Sequence, residues 1–169
     1  MSAKSLPSWR NRIVEQGERK VADLTAHPGN WRRHPSRQAG ALEQAIDSVG
    51  LVQGVLLNLR SEAQGWPAGS VPTLVDGHLR LELARKRGEA TLPVTTVDLS
   101  PEEERLVLAT LDPLGAMAEA DSAALEALIG ELPDFEGELG KLLEELVGGE
   151  ADVSGPEVDN GARRAFIFR

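Results

Sequence analysis

The chain has 169 residues and a mass of 18.1 kDa; it is 41% hydrophobic but only 4% aromatic, with no tyrosine and no cysteine. That is enough for one compact domain with a core of Leu, Val, Ile and Ala, and the missing thiols exclude a disulfide framework, a Cys-based zinc site, an iron–sulfur cluster and a cysteine nucleophile. The formal net charge of −9 is uneven, with 13 Lys+Arg against 9 Asp+Glu in residues 1–90 and 5 against 18 in residues 91–169, so two surfaces with different partners are expected. No apolar run reaches the roughly 18 residues of a membrane helix, and residues 1–12 lack the apolar stretch of a signal peptide. A soluble, cytoplasmic protein without membrane contact is expected.

Residues 1–17 read as a basic N-terminal segment. Eight basic residues lie within the first 40, among them Arg10, Arg12, Arg19, Lys20, Arg32, Arg33 and Arg37. They fit attraction to phosphate or nucleic acid, or an ordinary solvated surface. Val21-Ala22-Asp23-Leu24 reads as a short strand entering a loop, His27-Pro28-Gly29-Asn30-Trp31-Arg32-Arg33-His34-Pro35, whose two prolines and Gly-Asn pair forbid regular structure. A helix follows, with Ser36 as its cap, Leu42, Ala45, Ile46 and Val49 as its apolar stripe, and Gly50 as its stop. Val55 to Leu59 has the character of a buried strand, and Val71 to Val75 of another, so 55–75 is expected as a hairpin with a long tip.

Asp76-Gly77 breaks the chain, and a helix is expected over 78–87. Leu79, Leu81 and Leu83 alternate as in a strand, but Arg85-Lys86-Arg87 and Gly88 are helix-stop signals. Leu92 to Val97 reads as a β-branched strand, with Pro93 suggesting an edge position. From residue 100 the pattern turns helical. Ser100-Pro101-Glu102-Glu103 is a capping box with proline at the first helical position, and Val107, Leu111 and Leu114 continue one stripe. Leu125, Leu128, Ile129 and Leu132 mark a second helix, and Phe135, Leu139, Leu142, Leu143 and Leu146 a third. Residues 116–147 thus form an acidic helical extension, which reads as a solvated face or as a surface for a protein partner. Residues 148–169 read as a flexible tail in which Phe166-Ile167-Phe168 could dock as a short strand.

The segment richest in chemistry is Thr73-Leu74-Val75-Asp76-Gly77-His78-Leu79-Arg80. A strand ends, a glycine turns, and a helix begins within three residues, which leaves free backbone N–H groups at the positive end of a helix. Arg80 can close on a phosphate from the side, Gly77 admits a close backbone approach, and His78 can donate a bond or a proton. The same junction also reads as a plain turn, with Asp76 as helix cap. Trp31 is placed either stacked on a base or packed under its loop.

The order of strand, Asn30-Trp31-Arg32 loop, capped helix, Gly50-Leu51-Val52-Gln53, two strands, Gly77-x-x-Arg80, helix, strand and helix resembles the N-terminal domain of ParB-type proteins, a fold shared with sulfiredoxin, over about residues 18–115. The resemblance implies an α+β fold, a small mixed sheet with packed helices, followed by the acidic helical extension. It also implies a phosphate- or nucleotide-binding role for Gly77, His78 and Arg80, with Gly50 and Gln53 shaping the pocket and Asn30 and Arg32 in the polar loop. The sequence is similar to a phage or mobile-element branch, which implies host-cell cytoplasm, binding of nucleotide or DNA through the N-terminal half, and a DNA-modifying or DNA-packaging enzyme as protein partner. Three departures bear on activity. Leu79 replaces a second arginine, Gly54 replaces a proline, and Thr110-Leu111-Asp112-Pro113-Leu114 stands where the metal- and triphosphate-handling stretch of partition ParB falls. Only Asp112 there is suited to a metal such as Mg2+ bound with a nucleoside triphosphate, and CTP hydrolysis with clamp closure is not supported. Position 78, which is cysteine in sulfiredoxin, is His78 here, so sulfinic acid reduction is excluded.

Three functions compete. The first is a phosphate-binding module of nucleotide or nucleic acid. The second is a metal-dependent phosphoryl-transfer enzyme (ATPase or kinase) or nuclease, with His78 as base and Asp76, Glu103 and Asp112 as the acids placed near the box. The third is a protein-interaction adaptor with a vestigial pocket.

Overall fold

The computed structural model describes residues 8–148. Four strands, β1 (Ile13–Lys20), β2 (Val55–Asn58), β3 (Thr73–Asp76) and β4 (Thr91–Val97), form one mixed sheet in the order β1-β4-β2-β3. β1 is antiparallel to β4, β4 parallel to β2, and β2 antiparallel to β3. Five helices accompany it: α1 (Ser36–Val49), α2 (His78–Arg87), α3 (Pro101–Ala116), α4 (Ser122–Gly130) and α5 (Gly137–Gly148). This is the α+β arrangement expected from the sequence. The tail beyond residue 148, with its Phe166-Ile167-Phe168, lies outside the described residues, as do residues 1–7.

The core is aliphatic, as the composition requires. Val21, Leu24, Val55, Leu57, Leu74, Leu81, Ala84, Leu92 and Val94 form one buried cluster that α2 closes. His78, Leu79, Leu81, Leu83 and Ala84 are all buried, so the leucine alternation at 79, 81 and 83 belongs to a helix surrounded on most sides and not to a strand. Gly88, in the left-handed conformation, ends it as expected.

The first strand is not where the sequence places it. β1 ends at Lys20, and Val21–Asp23 is a single 3-10 turn. Val21 and Leu24 are both buried, and their spacing of three is that of side chains eclipsed on a 3-10 turn. All eight residues of β1 are exposed, so the strand has no apolar face to announce it; its pairing with β4 supplies the order.

Because β1 covers one side of β4, β4 is a central strand and the edge position expected from Pro93 is not observed. The proline is tolerated because it lies beside Gly54, one residue before β2 begins. A Cβ at position 54 would stand 2.4 Å from the Pro93 carbonyl oxygen, which accounts for glycine there.

Other local expectations hold with adjustments. α1 starts at Ser36 itself, with Pro35 preceding it and no side-chain cap, and Val49 is exposed rather than part of its buried face. Ser100 and Glu103 make the reciprocal capping box at the start of α3. Leu111 and Leu114 of the expected α3 stripe are exposed. α5 packs on α1, and α4 on α5. There the Gln44 side chain accepts the Leu139 N–H at 2.7 Å and Arg37 pairs with Glu138 and Glu145. No helix of the described residues is long and apolar enough to cross a membrane.

Most of the basic side chains near the N-terminus are engaged by acids within the molecule. Arg10 and Arg12 pair with Glu103, Arg19 with Glu15, Arg32 with Asp112, and Arg37 with the α5 acids. Among the described basic residues of the first 40, only Lys20 and Arg33 have no ion pair. The N-terminal half therefore presents no continuous basic face from these residues.

Candidate functional site

β3 delivers Asp76 to the mouth of α2, and Gly77 makes the turn with φ of 88°. Two constraints meet at this glycine. Its backbone is in the left-handed region, and a Cβ would lie 2.6 Å from Cγ1 of Val55, a buried β-branched neighbour. No side chain caps α2. Asp76 does not perform the capping role; its carboxylate instead pairs with Arg80 one turn on, at 3.1 Å.

Arg80 folds back toward the start of its own helix. Nη2 donates to Asp76, and Nη1 donates to Gln53 at 3.4 Å. Nε is buried and has no hydrogen-bond acceptor. Gly50, which ends α1 with φ of 84°, lines a groove of about 360 Å³ together with Leu51, Arg80 and Arg87 and the acids Glu43, Asp47 and Glu89. Gly50 and Gln53 therefore both reach Arg80, the first across the groove and the second by a hydrogen bond, while Gly77 does not line the groove. Another concavity, of about 400 Å³, is lined by Lys20, Arg85 and Gly88 and holds none of these residues.

His78 is buried, and its Nε2 accepts the backbone N–H of His27 at 3.2 Å. Burial pushes the imidazole below its ordinary value of 6.5; the Asp76 carboxylate pulls the other way, while His27 and His34 add to the lowering. The ring is therefore neutral at pH 7 with its proton on Nδ1, and the lone pair a general base needs is already engaged.

Asn30 and Arg32 turn elsewhere. Asn30 Oδ1 accepts the Arg32 N–H at 3.3 Å, an Asx turn. Arg32 Nε lies 2.7 Å from Asp112 Oδ2, an ion pair in which the N–H is not aimed at the oxygen, and the guanidinium sits 5.3 Å from the Trp31 ring centroid. Trp31 itself is half-exposed, and its Nε1 donates to the Leu108 carbonyl at 3.1 Å. The loop is thus fastened to successive turns of α3.

The residues do not fit a protein-held Mg2+. Asp112 is engaged by Arg32, Asp76 by Arg80, and among the described residues no group of three or more His, Asp or Glu side chains is arranged to hold a metal ion.

The most highly organised polar cluster was not visible in the sequence. Glu104, 2% exposed, receives four donors: His27 Nε2 (2.9 Å) and Arg60 Nη2 (2.7 Å) on Oε1, Asn58 Nδ2 (2.7 Å) and Arg60 Nε (2.9 Å) on Oε2. Burial raises the pKa of this carboxyl, but the bonds from Arg60, Asn58 and His27 outweigh it and hold the group below its ordinary value. Asn58 also brackets Leu99, accepting its N–H and donating to its carbonyl. Arg60 has φ of 59°, unusual for a residue with a side chain, and is held there by the carboxylate and by Trp66, whose ring centroid is 4.5 Å from its guanidinium. The residues come from positions 27, 58, 60 and 104, and no local spacing joins them.

Similarity to ParB-type N-terminal domains is found among solved structures. The chain is similar to the C-terminally truncated chromosome-partitioning protein ParB from Caulobacter crescentus complexed with CTP-gamma-S, with 18% identity over 81% of this chain and 87% of that chain and a TM-score of 0.49. It is also similar to a Pnob8-like ParB-N domain, with 16% identity over 69% of this chain and a TM-score of 0.44; there it spans 43% of the other chain. No protein-family model matches the sequence, and a search of curated proteins gives no match.

Proposed function

We propose that this chain is a phosphate-binding module, taking a phosphate group of a nucleotide or nucleic acid at the first turn of α2. The observation that supports this most directly is the state of Arg80. Its guanidinium is gathered at an uncapped helix start, bonded to Asp76 and Gln53, while its buried Nε has no acceptor. A buried donor without a partner costs about 1–3 kcal/mol, and an anionic oxygen relieves it once Arg80 turns this Nε, shut off from solvent here, toward the ligand. The first-turn amides of α2 and the helix dipole favour the same ligand. In this reading Gly77 and His78 form the turn, Gly50 and Gln53 the opposite wall, and Asn30 and Arg32 a loop held in place by α3. The exposed acids of α4 and α5 are the surface assigned to a protein partner, and the setting is a DNA-related process of a phage or mobile element, as the sequence resemblance implies.

The enzymatic reading draws less from the geometry. His78 Nε2 is occupied by the His27 amide, and Asp76 is paired with Arg80.

The test is isothermal calorimetry of nucleoside triphosphates, short DNA and inorganic tripolyphosphate against the full chain and Arg80→Ala. The wild type is expected to bind at least one of them. The variant should lose about tenfold to a hundredfold in affinity, the scale of one charge-assisted contact, with its thermal midpoint nearly unchanged. Equal binding by both proteins would remove Arg80 from the site, and no binding by the wild type would end the proposal.

A further inference from the structure

Glu104 lies outside the residues assigned to the phosphate site, yet it is joined to them through one residue. His27 Nδ1 accepts the Gly29 N–H at 2.9 Å, so the ring proton sits on Nε2 and is donated to Glu104. The backbone N–H of the same His27 is donated to His78 Nε2. A single loop residue therefore carries a side-chain bond to α3 and a main-chain bond to the first residue of α2. Further along, Trp31 bonds the Leu108 carbonyl and Arg32 pairs with Asp112. Positions 104, 108 and 112 are spaced i, i+4, i+8, one face of α3. Glu104 is the buried end of that row and is rigid, because Arg60 holds it bidentately and Asn58 holds it from the strand side.

We infer that Glu104 is a positioning residue for the α2 box: through His27 it seats the loop against α2, orients the His78 ring and so sets the placement of the first turn that carries Gly77 and Arg80. The inference rests on the phosphate reading for its functional meaning, but the structural relay has its own readout.

That readout is the ring-nitrogen chemical shift of His78 in the full chain, measured by NMR at pH 7.5. In the wild type His78 is a single tautomer, protonated on Nδ1, with Nε2 shifted as a hydrogen-bond acceptor. Glu104→Gln replaces one carboxylate oxygen by an NH2 group. Both oxygens already face donors, so a donor–donor conflict arises at one of them. His27→Ala removes the ring link and leaves the Glu104–Arg60–Asn58 bonds in place. In both variants the His78 Nε2 signal is expected to move toward that of an averaged, unbonded ring, and tripolyphosphate affinity to fall about tenfold, the scale of one misplaced charge-assisted bond.

Unchanged His78 signals in a folded Glu104→Gln protein overturn the inference. If that variant does not fold, unchanged signals in His27→Ala overturn it instead. Moved signals with wild-type tripolyphosphate affinity also overturn it, because the relay then positions nothing the ligand senses. A wild type that binds none of nucleoside triphosphate, short DNA and tripolyphosphate, like Arg80→Ala, defeats the phosphate reading alone, and the His78 signals still decide whether Glu104 controls the box.

Discussion

Two polar clusters meet at His27, and they are built in opposite ways. Around Glu104 the carboxylate has four donors, Asn58 is bonded on both ends of its amide, and even the left-handed Arg60 is held from two sides. Around the start of α2 there is no capping side chain, and Arg80 keeps one buried donor without a partner. Both clusters are largely withdrawn from water, so the contrast is not one of exposure. A satisfied buried network fixes one arrangement and has nothing left to offer a ligand. An incompletely satisfied one retains donors that a ligand can use, provided a rigid neighbour holds it in place.

The largest effect is expected at the satisfied cluster. Glu104→Ala leaves Arg60 and Asn58 facing a cavity without their acceptor, and urea denaturation should show a loss of about 3–5 kcal/mol, as for a buried pair stripped of one partner. A loss below about 1 kcal/mol would mean that water reaches the cluster and that its rigidity is not what holds the loop. Gly77→Ala comes next. A left-handed backbone and a contact of 2.6 Å with Val55 must both be accommodated, at a cost of about 1–3 kcal/mol read as a lowered thermal midpoint. Because the strain falls on the first turn of α2, tripolyphosphate affinity should drop alongside, whereas Arg80→Ala should lower affinity alone.

The smallest effect is the pH dependence, and its sign is the same for both clusters. The folded pKa of His78 lies below 6.5, so as the pH falls through 6.5 the unfolded chain takes up a proton that the folded chain refuses. Stability is fully present above that value and declines toward the folded pKa. Glu104 is held below its ordinary 4.5, so its contribution is intact above 4.5 and is lost as pH falls through the folded pKa. Urea midpoints should therefore decline in two stages on acidification. His78→Gln, whose side-chain oxygen can still accept the His27 amide, should flatten the upper stage only. An unaltered upper stage would assign it to another group.

Where helices stop and start was readable because those signals are local. The Ser100–Glu103 capping box, Gly50, Gly88 and the Gly77 turn each involve residues within four positions of one another, and each element appeared where its signals stood. The approach of Gly50 and Gln53 to Arg80 was legible only through the family resemblance, since nothing in the spacing of residues 50–53 and 77–80 brings them together. Asp76 shows the limit of local reading. An acid before a glycine and a helix suggests a cap, but the left-handed turn at Gly77 aims its carboxylate at Arg80 instead.

The aliphatic core, the five helices, the β2–β3 hairpin and the chemical character of the α2 junction follow from composition and from neighbours a few residues apart, and were legible before any fold was known. That β1 is a strand, that β4 is central despite Pro93, that Asp112 pairs with Arg32, and that Glu104 gathers His27, Asn58 and Arg60 came only from long-range packing. Each of these depends on partners from 39 to 84 residues apart in the chain. A strand exposed on both faces, or a carboxylate whose burial is tolerated only because distant donors surround it, has no local energy preference strong enough to mark it in advance.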